Sequence, residues 1–589
     1  MKTRLFQVIA SRISDYISAL GANPRDYFDI QIPPDPSKGD FALNGALKLA
    51  KIAKQSPLKL AQEFARRLAD DKDWFEKVEA VPPGFVNIFL KNDIIQKILL
   101  EKAKDQDLSI KSQNPPQRVV IDYSSVNIAK QMHVGHLRST IIGDVLSRVL
   151  EARGEVVIRQ NHLGDWGLPM AKVLWKVGPM LRRIESEKLV VSQELNLAKL
   201  EIIYRDANRE CEENPVSATA CHEVLVALQN GDQRLLDDWK TVTRISMAEV
   251  YRIYDELGVL LKPELEAGES LDRNMLADTV TAIQDCKHLT ESQGAKCVFL
   301  ESFKAKDGSP LPVIVQKSDG GFNYETFDLA AIRYRIGRLF ADRVIYVTDS
   351  RQVLHFAQVF EVAKICGWTT DKLKTISLEH VPFGTILGED NKPFKTRSGE
   401  NVKLSDLISE AVSLAYSVVQ EKNPSLSEEK KRKVAQAVGI GAIKYSDLCQ
   451  NRNNDYVFSF KRMLSLNGNT APYLQYAHAR ICSIFRKGEY AQTTTSYLVI
   501  THPAERDLAL KLLRFPEALE MVEVELRPHI LCNYLFELAT AFSTFYDQCP
   551  VIVCNDSIQK NSRFYLCRVT QRTLALGLNL LGIDAPEEM

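Results

Sequence analysis

The sequence predicts an α/β fold, a doubly wound parallel sheet with an α+β module before it and an all-helical segment after it. Three observations carry that prediction. A buried apolar run, Val119 to Ile121, ends in a short polar loop that opens an amphipathic helix. Strand-like runs near 316 and 345 are each followed by a helical pattern, the alternation of a parallel sheet. Beyond about 405 the periodicity is helical almost throughout.

The elements follow in chain order. Residues 1–112 form the first expected domain, opened by a helix with Leu5, Val8, Ile9, Ile13, Ile17 and Leu20 on one face. Helices are expected over 41–54 and 57–69, and VEAVPPGFVNIFL (78–90) alternates like a strand around a Pro-Pro-Gly turn. SIKSQNPPQ (109–117) reads as a linker. The second domain, 113–404, begins with RVVIDYS, and EVVIRQNHLGDWG (155–167) supplies a second strand and loop. Polar and helical material over about 181–290 is too long for a crossover and reads as an insertion. Strands return at AKCVFL (295–300), PVIVQ (312–316) and RVIYVTD (343–349). The third domain, 405–589, should hold helices over 405–421, 427–449, 470–487, 505–523, 528–547 and 561–581.

Composition removes several function classes. Of 589 residues, 75 are basic and 75 acidic, which argues against a protein that coats nucleic acid and leaves room for a local basic groove. No apolar run approaches the ~18 residues of a membrane span. The basic N-terminus lacks a signal peptide's apolar core, because Arg12 and Asp15 interrupt it. The 11 cysteines show no Cys-x-x-Cys pair, so no structural metal is expected, and they read as small core hydrophobes in a reducing cytoplasm.

DYSSVNIAKQMHVGHLRSTIIGD (122–144) is the most informative segment. It places two imidazoles and a glycine at a helix N-terminus, where unpaired N–H groups and the helix dipole favour a phosphate. Gly135 leaves room for a close approach, and His133 and His136, three apart, can donate to one group. Two histidines at this spacing are commonly ordinary surface or core residues. Their position outside the carboxyl ends of a parallel sheet is what singles them out.

The 122–144 segment resembles the signature of class I aminoacyl-tRNA synthetases, and specifically of the arginyl family. Further matching pieces are GDFALN (39–44), PPGFVNIFL (82–90), NHLGDWG (161–167), YETFDLAAIRYR (324–335), VTDSRQVLHFAQVF (347–360), VPFGTILGEDNKPFKTRSG (381–399) and TAPYLQYAHAR (470–480). The resemblance implies a Rossmann-like parallel-sheet catalytic domain, an added N-terminal α+β domain that contacts tRNA and an all-α anticodon-binding C-terminal domain. It also implies L-arginine, ATP with accompanying Mg2+, and tRNA(Arg) as substrates, in a cytoplasmic, membrane-free monomer.

Residue roles follow from the same resemblance. His133, Gly135 and His136 would bind the ATP phosphates, joined by Asp349 and His355 at the nucleotide end of the sheet. Asp328 would pair with the guanidinium, with Tyr324 beside it and Asp122 as a second carboxylate. Ser124, Asn127, His162 and Gln352 complete the expected arginine site. Asn161, His162 and Asp165 fit either substrate contacts or a structural turn. A Lys-Met-Ser-Lys-Ser loop is absent. KPFKTRSG stands in its place, with Lys392, Lys395 and Arg397, and Lys130 could share the charge work on the leaving group. Val126, LPMAK (168–172) and Glu400 depart from the family pattern. Tyr473, Tyr476, Arg480, Tyr546 and Met589 are the expected tRNA contacts, although Tyr473 and Tyr476 also suit a helical core.

Two alternatives stay open at this stage. One is a synthetase for another amino acid such as glutamine or cysteine, and the other is a catalytically silent tRNA-binding paralogue.

Overall fold

The computed structural model describes residues 2–33, 35–272, 275–305, 307–371, 374–394, 402–488 and 497–589. Its centre is a four-stranded parallel sheet in the spatial order Ser377–Phe383, Arg343–Asp349, Arg118–Asp122, Val156–Gln160. The strands alternate between two buried faces, as side chains on a pleated strand must. Val119, Ile121, Ile345 and Val347 meet the helix Val134–Arg153 through Leu137, Ile141 and Val145. Val120, Val344 and Tyr346 point the other way, toward Leu329, Ile332, Phe356 and Val359 of the helices Tyr324–Gly337 and Val353–Ile365. Connections leave the two middle strands in opposite directions, so a crevice opens beyond Asp122 and Asp349. That is the topological switch point where ligands bind in open α/β sheets.

Two expectations are corrected here. The runs at 295–300 and 312–316 do not join the parallel sheet. Ala295–Val298 and Val313–Gln316 pair antiparallel with each other and, through the first, with Leu289–Ser292, in a separate three-stranded sheet. Val298, Val313 and Val315 cover the second core from outside, so they needed apolar side chains without needing a place in the main sheet. The fourth parallel strand is instead Ser377–Phe383. The expected insertion holds the helices Leu197–Glu213, Pro215–Gln229 and Gln233–Leu257.

Ahead of the sheet, the helix Lys2–Ala19 buries Leu5, Ile9, Ile13 and Ile17. A four-stranded antiparallel sheet follows, including the hairpin Phe75–Val81 and Phe85–Leu90 across a cis Pro82–Pro83 bond. Phe41–Leu43, expected to begin a helix, is a strand of this sheet, and the helix starts after Asn44 as Gly45–Ala53. Polar contacts tie this part to the helical segment, two groups of them buried or half-buried. Asp40 receives both Arg506 Nη1 and Nη2, at 2.6 and 2.7 Å. The buried Lys102 donates from Nζ to the carbonyls of Leu512 and Leu513 at 3.0 and 3.2 Å, and burial pulls its pKa down to about 7.

The C-terminal helices are Leu404–Lys422, Glu428–Leu448, Ala471–Lys487, Pro503–Leu513, Phe515–Glu525, His529–Gln548 and Ser557–Leu580. The helix expected over 505–523 is broken at Arg514, because Pro516 supplies no N–H to continue the ladder. Arg138 and Asp447 form a fully buried ion pair at 3.0 Å between the Val134–Arg153 helix and this bundle. No helix among the described residues is long and apolar enough to cross a membrane.

Gly143 lies where the Val134–Arg153 helix touches Tyr123, and an added Cβ would stand 2.2 Å from the ring. Gly143→Ala is therefore expected to cost about 1–3 kcal/mol as an overpacked contact. Thermal or urea denaturation followed by circular dichroism checks this, and an unchanged midpoint would contradict the packing described.

Candidate active site

The crevice is a cavity of about 580 Å³ at the carboxyl ends of the two middle strands. Asp122, Ser124, Asn127, His133, Gly135 and His136 enter it from the first strand and its loop. His162, Tyr324, Asp328, Asp349, Gln352 and His355 come from elsewhere in the chain. All twelve positions were expected at the site, and the fold brings them together from a span of more than 200 residues.

The loop after the first strand is held by hydrogen bonds and by unusual backbone. Ser124, Ser125 and Ala129 adopt φ of 73°, 49° and 60°. Ser124 N–H donates to Ser139 Oγ at 2.9 Å, and Ser139 Oγ donates to the carbonyl of Val347 at 2.6 Å. The loop is thereby stitched to the neighbouring strand. Gly164 packs against Asn127, where an added Cβ would stand 2.6 Å from Oδ1.

At the helix N-terminus, His133 Nδ1 accepts from Gly135 N–H at 3.0 Å, and His136 Nδ1 accepts from His133 N–H at 3.2 Å. These bonds set the tautomer. With both Nδ1 atoms accepting, each neutral ring carries its proton on Nε2. The rings lie 4.0 Å apart and act as a pair of donors. Burial lowers the pKa of both. His136 is brought down to about 3, helped by the neighbouring His133 and Lys130.

Four carboxylates face the cavity, in very different states. Asp122 was expected to meet a substrate cation. Its Oδ2 instead receives Arg335 Nη2 at 2.8 Å, and its Oδ1 receives the His162 N–H at 3.2 Å. Arg335 is itself buried, bonded to Gln160 and stacked on Tyr346. Asp349 holds Arg351 through two bonds of 2.8 and 2.9 Å. Asp328 meets His355 Nε2 at 2.6 Å, which moves His355 from the expected nucleotide end to the carboxylate. Glu269, which the sequence did not single out, has no ion pair among the described residues, and burial pushes its pKa up to about 7. No motif marks Glu269. The nearby signal is Gly268, where a Cβ would strike Asp165 Oδ1 at 2.5 Å.

Other expected groups resolve differently. The Ser124 hydroxyl is spent on Thr140 and Tyr254, each at 2.7 Å. Asn161 and Asp165 are scaffold: Asn161 bonds Ser125 N–H and Tyr254, and Asp165 receives the Ser270 N–H and hydroxyl. Lys130 does not line the cavity. Its Nζ lies 4.6 Å from the Tyr204 ring centroid and influences the histidines only through space. Lys392 sits in an exposed turn away from the cavity, and Lys395 and Arg397 lie outside the described residues. Beyond them the chain returns beside the histidines, with Val134 N–H donating to Val402 O at 2.9 Å.

A second cavity, of about 790 Å³, lies on the Ala471–Lys487 helix. Tyr476, Arg480, Tyr546 and Met589 all line it, with Lys422, Arg486 and Lys487 adding positive charge. The Arg480 guanidinium lies 4.5 Å from the Tyr546 ring centroid. Tyr473 is not among the lining residues and packs against Phe536.

Three family models match the chain. They are tRNA synthetases class I (R), catalytic domain, over 94–460; DALR anticodon binding domain, over 474–589; and Arginyl tRNA synthetase N terminal domain, over 7–90. The chain belongs to the arginyl-tRNA synthetase family. It is 45% identical over 586 residues to an arginine–tRNA ligase of Psychromonas ingrahamii, covering 99% of both chains. Identity to that of Alcanivorax borkumensis is 44% over 595 residues, covering 100% of both. Among solved structures, the arginyl-tRNA synthetase of Plasmodium falciparum superposes with a TM-score of 0.83 at 29% identity and 99% coverage of each chain. That of Thermus thermophilus gives 0.80 at 26% identity and 100% coverage of each. The class I synthetase fold is thus that of the family, with a parallel-sheet catalytic part between the two flanking modules.

The lowered pKa of His136 has a measurable sign. The neutral ring is favoured by the fold, so its contribution is present above the ordinary histidine pKa and is lost as pH falls toward about 3. In nitrogen-labelled histidine spectra, His136 should stay neutral with its proton on Nε2 from pH 8 to pH 5. A midpoint near the ordinary ~6.5 would contradict the buried, backbone-bonded geometry.

Proposed function

We propose that this chain joins L-arginine to ATP in the strand-end cavity and passes the arginyl group to tRNA(Arg). The observation that carries the reading is the cavity itself. It sets two Nε2–H donors at a helix N-terminus opposite Asp328 and Glu269, two carboxylates without a guanidinium partner of their own. One end suits a polyphosphate and the other a planar cation.

In the first step a carboxylate oxygen of arginine attacks the α-phosphorus of ATP, forming the arginyl-adenylate as the bond to pyrophosphate breaks. His133 and His136 donate to phosphate oxygens where charge builds, supplying position and electrostatic support rather than a nucleophile. Mg2+ would accompany ATP and add positive charge for its phosphates, without a protein cage of its own among the described residues. Asn127 and Gln352 hold the α-amino and carboxylate groups, and Tyr324 flanks the guanidinium. In the second step the 2′-hydroxyl of the terminal adenosine attacks the adenylate carbonyl and AMP leaves. The basic run that includes Lys392 and Lys395 is the proposed counter-charge for the pyrophosphate as it leaves, Lys392 standing outside the cavity itself.

Glu269 replaces Asp122 as the second carboxylate for the guanidinium, because Asp122 is already neutralised by Arg335. Residues 405–589 present the Arg480–Tyr546 cavity to the anticodon, with an aromatic face and a cation together. Residues 1–112 contact the body of the tRNA, and 113–404 carry the chemistry. The proposed enzyme acts as a monomer. The free thiols, including the two close together at Cys211 and Cys221, suit the reducing cytoplasm.

ATP–pyrophosphate exchange with a panel of amino acids, with and without tRNA, tests the reading. Exchange supported by another amino acid but not by arginine would refute it. Asp328→Asn and Glu269→Gln should each raise the KM for arginine by about 10- to 100-fold, the worth of one charge-assisted hydrogen bond, with the KM for ATP nearly unchanged. His136→Ala should slow adenylate formation far more than it weakens arginine binding. For the second cavity, Arg480→Ala should weaken tRNA binding and leave tRNA-free arginine binding intact, as filter binding and calorimetry would show.

A further inference from the structure

The four cavity carboxylates differ in what neutralises them. Asp122 and Asp349 each hold an arginine, at 2.8 Å in both cases. A guanidinium does not deprotonate in proteins, so neither partner can give up its charge, and the buried Arg335 cannot leave Asp122 as the exposed Arg351 can leave Asp349. Asp328 alone is paired with a group that can give its charge up, the imidazole of His355, at 2.6 Å and partly open to solvent. Glu269 has no ion pair among the described residues. An entering cation therefore finds one carboxylate held by a partner that can lose its charge.

We propose that His355 is a positioning residue that holds Asp328 in the empty pocket and yields it to the incoming guanidinium with release of one proton. The proposal rests on the assignment of Asp328 to the guanidinium. A second cation placed within a few ångströms of the imidazolium, in a cavity poorer in water than bulk, strongly disfavours the charged ring. The N–H···O bond from His355 Nε2 to Asp328 Oδ2 breaks, a substrate N–H takes its place, and the imidazolium passes its proton to solvent. Ordering is the gain, since the carboxylate need not search for its rotamer when substrate arrives.

The surroundings of His355 are consistent with this. Burial lowers its pKa, but the hydrogen bond and charge of Asp328, with Glu325 behind it, outweigh burial and raise the pKa above its ordinary value. On the strand Ser377–Phe383, His380 is kept neutral by burial, at about 4. Asp349 at the end of the next strand is occupied by Arg351, and Glu269 faces Asp328 rather than the imidazole. On the ring's own helix, Glu361 and Lys364 pair with each other.

Calorimetric titration of the full chain with L-arginine near neutral pH, in phosphate and in Tris, reads the proton directly. The expected result is a heat difference equal to release of about 0.5–1 proton per arginine bound. His355→Gln, whose amide nitrogen reaches as far as the ring Nε2, keeps a hydrogen bond to Asp328 and cannot titrate. It should lose more than half of that release while still binding arginine. Glu269, itself raised to about 7, gives up part of a proton to the same guanidinium, so the release that persists in Glu269→Gln is the share of His355. Equal heats in the two buffers overturn the proposal, as does a release abolished by Glu269→Gln and untouched by His355→Gln. Kinetics of Glu269→Gln, in which the imidazole is the titrating partner that remains, give a second reading. The KM for arginine should fall as pH rises through the imidazole range while the KM for ATP stays level, and a level arginine KM overturns the proposal. Failure of arginine to bind at all, with exchange supported by another amino acid, would instead overturn the assignment of function and the proposal with it.

Discussion

The hydrogen bonds that His133 and His136 accept from the backbone are the interaction on which the site depends. Each spends an Nδ1 lone pair on the start of its own helix, and each is thereby committed to presenting an Nε2–H outward. One pair of bonds caps the helix, selects the tautomer and aims two donors at the crevice. The loop before them needs three non-glycine residues at positive φ, and it is kept there by Ser139, which joins the loop to the adjacent strand. The parallel sheet provides the anchor points, and its switch in strand order provides the opening.

Charge is arranged by subtraction. The cavity wall carries four carboxylates, and the chain pairs two of them with its own arginines. Arg335 is the clearest case. It lies on the same helix as Asp328, two turns further along, and points inward to Asp122 and Gln160. A buried pair of this kind contributes little net stability but fixes how the helix sits on the sheet. The helix that carries Tyr324 and Asp328 is therefore registered by the same ion pair that neutralises Asp122.

Local sequence was a good guide where the geometry is local. The strand, loop and histidine helix are contiguous, and their residues face the cavity as the spacing requires. The long C-terminal helices were visible from their apolar period. Pairings between distant residues were not visible. Asp122 and Arg335 are 213 positions apart, and nothing around either announces the other. Glu269 lies in a four-residue helix without periodicity, so it offered no pattern to read. The runs at 295–300 and 312–316 show a further limit. Apolar alternation reports that a strand has a buried face, and it is silent about which sheet the strand joins. Pro516 was readable as a helix breaker, yet the apolar period ran through it and masked the break.

Lys102 shows how a domain junction can be insensitive to its own ionisation. Its amine lies close to the balance between charged and neutral forms, and it serves two carbonyl oxygens at the end of the Pro503–Leu513 helix. A neutral amine still has two hydrogens to give, one for each carbonyl. The junction between the N-terminal module and the helical bundle can therefore shed a charge without shedding a bond. The contact between the two modules then rests in part on donors that persist as the amine titrates.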